Sequence, residues 1–518
     1  MARTYSLYTL RIILVLTFGS FTYGYGFSVI SNTLGQPGFL SYFNLGQNPS
    51  RANAITGTVN GLFFAGAMLG ALAAGWMCEA RGRKKTMYLS SVVTVLGAAL
   101  EAGSVKLGMF LAARFIAGAG IGMMVVLIPI LQAEISPPAA RGFLVGQHGT
   151  WIVLGYAIAG WVGVGTYYSS NLSFQWRFPI ALNCLPPLCL LLCSPWIPES
   201  PRWLLTKDRK DEAWAITSRL YGDDTSANSD SRAATEFLQM VEQVQADAAA
   251  WSAGGNRQLF TKPSYRKRMW MGFFIQFASQ STGANVIYVY IVSLYQNLGL
   301  TGGIPLILGA SYVTVATLAN LGGALLLDKV GRKPLLITGL VGCMVSVCLE
   351  TAMIASFAGT TNHAGLAMGV VFSFCFITFY GAGIDVVGYP MTLMVNLLPG
   401  EIFPTHIRSQ GVAWSLFGTF ISVLVYVEAA PTALASITWK YYIIFICLTI
   451  CNILILYFWC PETKGLSLEE INAKFGDEVA VQLGDAAAIA GADVESLKLK
   501  NVIGHAERTS PETESENN

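Results

Sequence analysis

The sequence predicts an all-α polytopic membrane protein with twelve transmembrane helices in two duplicated six-helix bundles. Three observations carry that prediction. Hydrophobic residues make up 53% of the 518 positions and charged residues only 12%, with a mean hydropathy of +0.52. A water-soluble domain carries about 25% charged residues, so too few are present to cover a wet surface. Apolar stretches of bilayer-crossing length, about 20 residues each, recur along the chain. Finally, three short polar signatures occur twice, in the same order. The formal charge of +2 offers no basic field for nucleic acid, and the expected surroundings are a lipid bilayer.

The first stretch, 9–31, is longer than a signal-peptide core and is followed by no clear cleavage site, so it reads as an anchor helix. Stretches 56–78, 87–105, 108–132, 143–165 and 178–197 complete the first six. The second six are 269–298, 304–327, 335–357, 365–398, 411–430 and 439–460. Each must be helical, because an unpaired backbone in lipid is too costly. Residues 198–268 form a polar break with helix-forming stretches at 210–220 and 233–249, read as a cytoplasmic helical linker. The domain plan is therefore 1–197, the linker 198–268, 269–460, and a short acidic tail, 461–518, largely disordered.

Lysine and arginine orient the bundle. With both termini in the cytoplasm, the inner loops outside the linker carry nine basic residues, and the outer loops carry four: Arg51, Lys106, Arg177 and Lys440. The ten cysteines all fall in spans or at their inner ends, with no zinc or redox spacing, so they read as small apolar residues. Asn171-Leu-Ser173 is a glycosylation sequon on an expected outer loop.

The duplication gives the strongest internal signal. Glu79-Ala-Arg-Gly-Arg83-Lys84 follows span 2, and Asp328-Lys-Val-Gly-Arg332-Lys333 follows span 8. Glu134, Pro137 and Arg141 follow span 4; Glu401, Pro404 and Arg408 follow span 10. Pro198-Glu199-Ser200 follows span 6, and Pro461-Glu462-Thr463 follows span 12. Parallel repeats of this kind build transporters with a midplane substrate site between the halves. Opposite charges at the inner helix ends can pair when the halves close there and part when they open. Single exposed pairs give only ~0–1 kcal/mol, but a network biases a two-state equilibrium. Glu79, Arg83, Glu134, Arg141, Glu199, Asp328, Arg332, Glu401 and Arg408 are thus the candidate gating network.

At these residues the chain resembles the sugar porter family of the major facilitator superfamily, over about residues 9–470. The resemblance also rests on Arg114-Phe115 with Gly118, Gly120 and Gly122, on Pro198-Glu-Ser-Pro-Arg202, and on Gln280 with Gly283 and Asn285. Glu401-Ile-Phe-Pro404 and Pro461-Glu-Thr-Lys-Gly465 add to it, and Thr33-Leu-Gly-Gln-Pro37 with Phe376-Ile-Thr-Phe-Tyr380 suggest a fungal branch. The resemblance implies the major facilitator fold, a rocking carrier and no cofactor. It also implies substrate contacts on span 7: Gln280 and Asn285 bonding hydroxyls and Tyr290 closing the site. Gln276, one turn earlier, and Asn320 on span 8 are further amides at membrane depth, and an amide supplies both donor and acceptor to a polyol.

The chain departs from the family at several points. A second glutamine often precedes the one matching Gln280, but Ser279 stands here. The usual span 5 glutamine is Gly149, beside Gln147 and His148. Asp385 to Glu401 is several residues longer than usual. In proton-coupled members the arginine matching Arg114 pairs with an aspartate in Gly-Tyr-Asp on span 1, whereas this chain reads Gly24-Tyr25-Gly26. Spans 3 and 4 form a hairpin that puts Glu101 roughly opposite Arg114, so that pair is the expected replacement. Glu350 and Asp385 are the other deep carboxylates able to carry a proton.

The leading expectation is a plasma-membrane carrier of a sugar or polyol working by facilitated diffusion. Alternatives are a proton-coupled symporter, a carrier of another polar metabolite such as a cyclic polyhydroxy acid or a secreted fungal product, and a non-transporting nutrient receptor. An enzyme is not expected, since no nucleophile–base or metal constellation stands out.

Overall fold

Helices that are apolar on every side must lie inside a bundle or in lipid. In the computed structural model, side chains such as Trp76, Leu318, Leu325 and Phe458 project outward from the long helices, while polar residues gather inside. The structure describes residues 7–45, 49–137, 141–221, 233–245 apart from 235 and 243, 261, 263–357, 360, 362–385 and 408–459.

In chain order the helices are α1 (Leu7–Leu34), α2 (Pro37–Tyr42), α3 (Pro49–Arg81), α4 (Arg83–Ala102), α5 (Leu107–Ile135), α6 (Arg141–Tyr167), α7 (Leu172–Leu182) and α8 (Leu185–Cys193). The short α9 (Pro201–Thr206) and α10 (Lys210–Tyr221) follow. Then come α11 (Pro263–Gln280), α12 (Ala284–Asn297), α13 (Ile304–Val330), α14 (Arg332–Phe357), α15 (His363–Phe379), α16 (Arg408–Ser436) and α17 (Tyr441–Trp459). A π-helical turn, Tyr380–Asp385, extends α15. Among the described residues no strand is present.

Ten helical stretches in the described residues are long and apolar enough to cross a membrane, not the twelve expected. The two shortfalls have physical causes. Span 3 is α4, whose basic first turn and polar residues Ser90, Ser91, Thr94 and Glu101 dilute its hydropathy. Span 7 is not one helix: it breaks at 281–283 into α11, whose start carries Arg266, Lys267 and Arg268, and α12, which is only 14 residues long. Span 6 is also interrupted, between α7 and α8 ahead of Pro186 and Pro187. The later part of span 10, 386–398, and the tail, 461–518, lie outside the described residues.

Helices from the two sequence halves pack on each other. The α3 helix runs along both α5 and α16, and α6 packs on α1 and α13. Small residues allow a close crossing of α3 on α5: a Cβ added at Gly70 would lie 2.0 Å from the Ala119 carbonyl oxygen. In the linker, Trp203, Leu204, Leu205, Ala213 and Met240 form their own apolar cluster. Thr9 at the start of α1 donates to the Leu220 carbonyl (3.0 Å), tying α10 to the bundle.

Candidate transport site

The break in span 7 builds the inner cavity. Gly283 sits at φ +84°, and a side chain there would collide with the Phe445 ring (2.8 Å), so glycine is required. Gln280 ends α11 and Asn285 lies in the first turn of α12. Five residues along an unbroken helix are rotated about 140° apart and cannot meet. Across the break they do: the Asn285 amide donates to Gln280 Oε1. Both line a cavity whose other walls come from α1, α6, α13 and the α15 π-turn. The sequence identified both amides but not the break that joins them.

The other candidates divide. Gln276 is not among the cavity's lining residues; its Oε1 accepts from Thr419 of α16 (3.1 Å), so it bridges two helices. Tyr290 likewise points away, donating to the Val427 carbonyl (2.9 Å) at the α12–α16 contact. Asn320 reaches the site indirectly, donating to Asp385 Oδ2 at 2.8 Å, and Asp385 lines the cavity. Sequence reading missed the tyrosines that complete the walls: Tyr23, Tyr156, Tyr288, Tyr312 and Tyr380. Tyr156 and Tyr288 stack with centroids 5.4 Å apart, and Phe27 lies 5.5 Å from each. Tyrosines on five separate spans carry no linear spacing that would reveal such a cluster.

One end of the cavity is held by contacts between the sequence halves. Ser31 of α1 donates to the Tyr288 and Val289 carbonyls (3.1 and 2.9 Å), and the Tyr288 hydroxyl donates to Ser28. Trp161 of α6 donates to Thr314 of α13 at 3.0 Å.

At the start of α4, Arg83 collects the charges. Its guanidinium makes a bidentate pair with Glu134 (both 3.0 Å) and reaches Glu79 at 3.2 Å. Such forked pairs are the strong kind. Glu199 caps α4, accepting from the backbone of Arg83 (2.9 Å) and Lys84 (3.2 Å), where a helix start favours a carboxylate. Gly82 permits this: at φ +94° its added Cβ would lie 2.5 Å from Glu199 Oε2. Burial pushes the Glu199 carboxyl above its ordinary pKa, while the Ser200, Lys84 and Arg83 N–H groups pull it back. Gly331 repeats the conformation at φ +104°.

The ion pairs seen here join residues of the first half with one another. A hydrogen bond crosses to the second: Ser409 of α16 donates to Glu79 Oε1 at 2.6 Å. Glu401 and the side chains of Arg141, Asp328, Arg332 and Arg408 lie outside the described residues.

Arg114 and Glu101 are both fully buried and stand 3.6 Å apart, as the hairpin argument expects. Arg114 also donates to the Gly26 carbonyl (3.1 Å) and lies 4.2 Å over the Phe63 ring. An added Cβ on Gly26 would meet Ile121 at 2.6 Å and the Asn183 amide at 3.0 Å, so neighbouring side chains fill the space where the family's aspartate would stand. Asn171 is exposed, and its Oδ1 caps α7 by accepting from Ser173 (3.0 Å) and Phe174 (3.3 Å).

A family profile described as sugar (and other) transporter matches residues 12–475. The chain belongs to that family. Among its transporter relatives, it is 31% identical over 462 residues to the MFS-type transporter criB of Aspergillus cristatus, covering 89% of this chain and 92% of that one. It is also 31% identical over 468 residues to the major myo-inositol transporter IolT of Bacillus subtilis, covering 90% and 93%. Among solved structures, the proton:xylose symporter XylE with bound 6-bromo-6-deoxy-D-glucose superposes with a TM-score of 0.76 at 22% identity, covering 90% and 99%. This likeness establishes the major facilitator fold for the sugar transporter family member described here.

Proposed function

We propose that this chain is an alternating-access carrier that moves a sugar or polyol across the plasma membrane by facilitated diffusion, with both termini cytoplasmic. The observation that carries the reading is the joined amide pair Gln280–Asn285, at a helix break, facing a cavity walled by tyrosine hydroxyls. A hydroxyl-rich substrate needs paired donors and acceptors, and amides and phenols provide both. Broken helices at midplane are where such carriers bind. Relatives named as transporters of myo-inositol and glucose support the substrate class.

In this reading the bundles 1–197 and 269–460 rock about the cavity. The Arg83 cluster holds Glu79 in place for Ser409, and the inner network stabilises the outward-open state. Facilitated diffusion follows from Gly26, Glu101 and Arg114. Protonating Glu101 would strand a buried guanidinium, so this pair does not exchange protons during a cycle. The test is uptake of a labelled panel (glucose, xylose, myo-inositol, a hexitol) into proteoliposomes. Saturable uptake of at least one member is expected, and uptake of none by well-folded protein rejects the reading.

A further inference from the structure

The π-helical turn Tyr380–Asp385 is clamped from two sides. A Cβ added at Gly323 of α13 would sit 2.2 Å from the Ala382 carbonyl oxygen, and one at Gly383 would sit 2.6 Å from Gly339 Cα of α14. Such wide turns inside helices are frequent at functional sites. This one delivers Asp385 to the cavity wall, with its Oδ2 held by the Asn320 amide at 2.8 Å. Asp385 is the one Asp or Glu among the described lining residues, and these include no Lys, Arg or His. Residues 386–400, which follow it, contain no Lys, Arg or His either.

A neutral polyol can use a carboxylate oxygen as an acceptor. An anionic substrate brings a charge that must be paired to leave water, and this cavity offers it a carboxylate instead of a cation. We propose that Asp385 is a specificity-determining substrate contact: Oδ1 accepts a hydrogen bond from a substrate hydroxyl, and the carboxylate rejects substrates bearing a carboxylate or phosphate. The consequence is a carrier of neutral sugars and polyols that tolerates an ammonium group and excludes sugar acids and cyclic polyhydroxy acids. Asn320 acts as the positioning residue that fixes the carboxylate. This inference rests on the sugar-carrier reading and narrows it.

The test uses the full-length protein in proteoliposomes at neutral pH, with whichever neutral panel member it takes up as tracer. D-glucosamine, D-glucuronate and quinate serve as competitors beside D-glucose and myo-inositol. Wild type should be inhibited by the acids at least about tenfold more weakly than by their neutral counterparts. Asp385→Asn should shrink that gap by about tenfold and remove any advantage of glucosamine, while Asp385→Glu should keep both. Because the wild-type selectivity needs no variant, a poorly folding mutant does not hide the answer. Equal inhibition by acids and neutrals in wild type, or an unchanged gap in well-expressed Asp385→Asn, overturns the inference and leaves the sugar reading standing. Failure of every panel member to be taken up or to raise the thermal stability of the purified protein sinks both.

Discussion

Glu101 and Glu350 occupy matching places in the two repeats, yet the protein has put them to different uses. Each lies eighteen residues beyond the arginine that opens its helix, Arg83 in α4 and Arg332 in α14, and each helix follows a glycine with positive φ. Both carboxylates are buried. Glu101 faces Arg114 at 3.6 Å. Glu350 forms no ion pair among the described residues; its electrostatic neighbours are the phenols of Tyr295, Tyr312 and Tyr442. Among the described residues its Oε2 and the hydroxyls of Tyr312 and Tyr442 find no hydrogen-bond partner, while Tyr295 bonds Ser373 at 2.8 Å. The first repeat pairs its carboxylate with a cation at ion-pair distance, without a hydrogen bond, and the second keeps one among neutral hydroxyls. Duplication therefore preserved the position while the partners diverged, and the partners decide whether a buried acid is structural or free to change state.

Neutralising each acid in turn separates their two roles. Glu101→Gln strands the Arg114 charge, a loss of about 3–5 kcal/mol for a buried pair broken on one side. Glu350→Gln removes no partner from a cation and should cost about 1 kcal/mol or less. Thermal unfolding in detergent measures both. Equal losses would mean that Arg114 does not depend on Glu101.

The inner ends extend the comparison. Arg83→Ala leaves Glu134, which is nearly inaccessible, without its forked partner, and frees the Glu79 that Ser409 touches. Turnover should fall severalfold, with inward-open states enriched and expression retained; a loss of ~1–3 kcal/mol for an unpaired buried group sets the scale. The same substitution at Arg332 tests the repeat equivalence. Wild-type rates in both variants would remove the gating role.

Within the second half, Gln280→Ala should raise the apparent KM about tenfold or more, since a substrate hydroxyl left unpaired costs ~1–3 kcal/mol. Gln276→Ala loses a helix-bridging bond to Thr419, so it should lower stability by ~0.5–1.5 kcal/mol and leave KM nearly unchanged. A larger KM effect at Gln276 than at Gln280 would relocate the site.

What the sequence made legible follows from what is local. Hydropathy and charge counts found the spans, and the repeated signatures found the Arg83 cluster, because those signals lie within a few residues of one another. The Glu101–Arg114 pair was reachable because a short hairpin fixes which residues face. The break at 281–283 was hidden inside a continuous apolar run, and only Gly283 hinted at it. Tyr156 and Tyr288 look like ordinary apolar filler until α6 and α12 are packed together. Gln276 shows a related limit: sharing a helix face with Gln280 in sequence does not fix which neighbour each meets, and Thr419 of α16 bonds Gln276.

Whether the Glu101–Arg114 pair of the first repeat takes part in energy coupling separates a uniporter from a symporter. The direct measurement is accumulation of a transported sugar in proteoliposomes under an imposed inward proton gradient. With Glu101 held by Arg114 and no aspartate at position 26, internal sugar should rise to the external concentration and stop, whether or not the gradient is present. Accumulation above the external level, abolished by collapsing the gradient, would contradict facilitated diffusion, and its loss in Glu350→Gln or Asp385→Asn would show which carboxylate carries the proton.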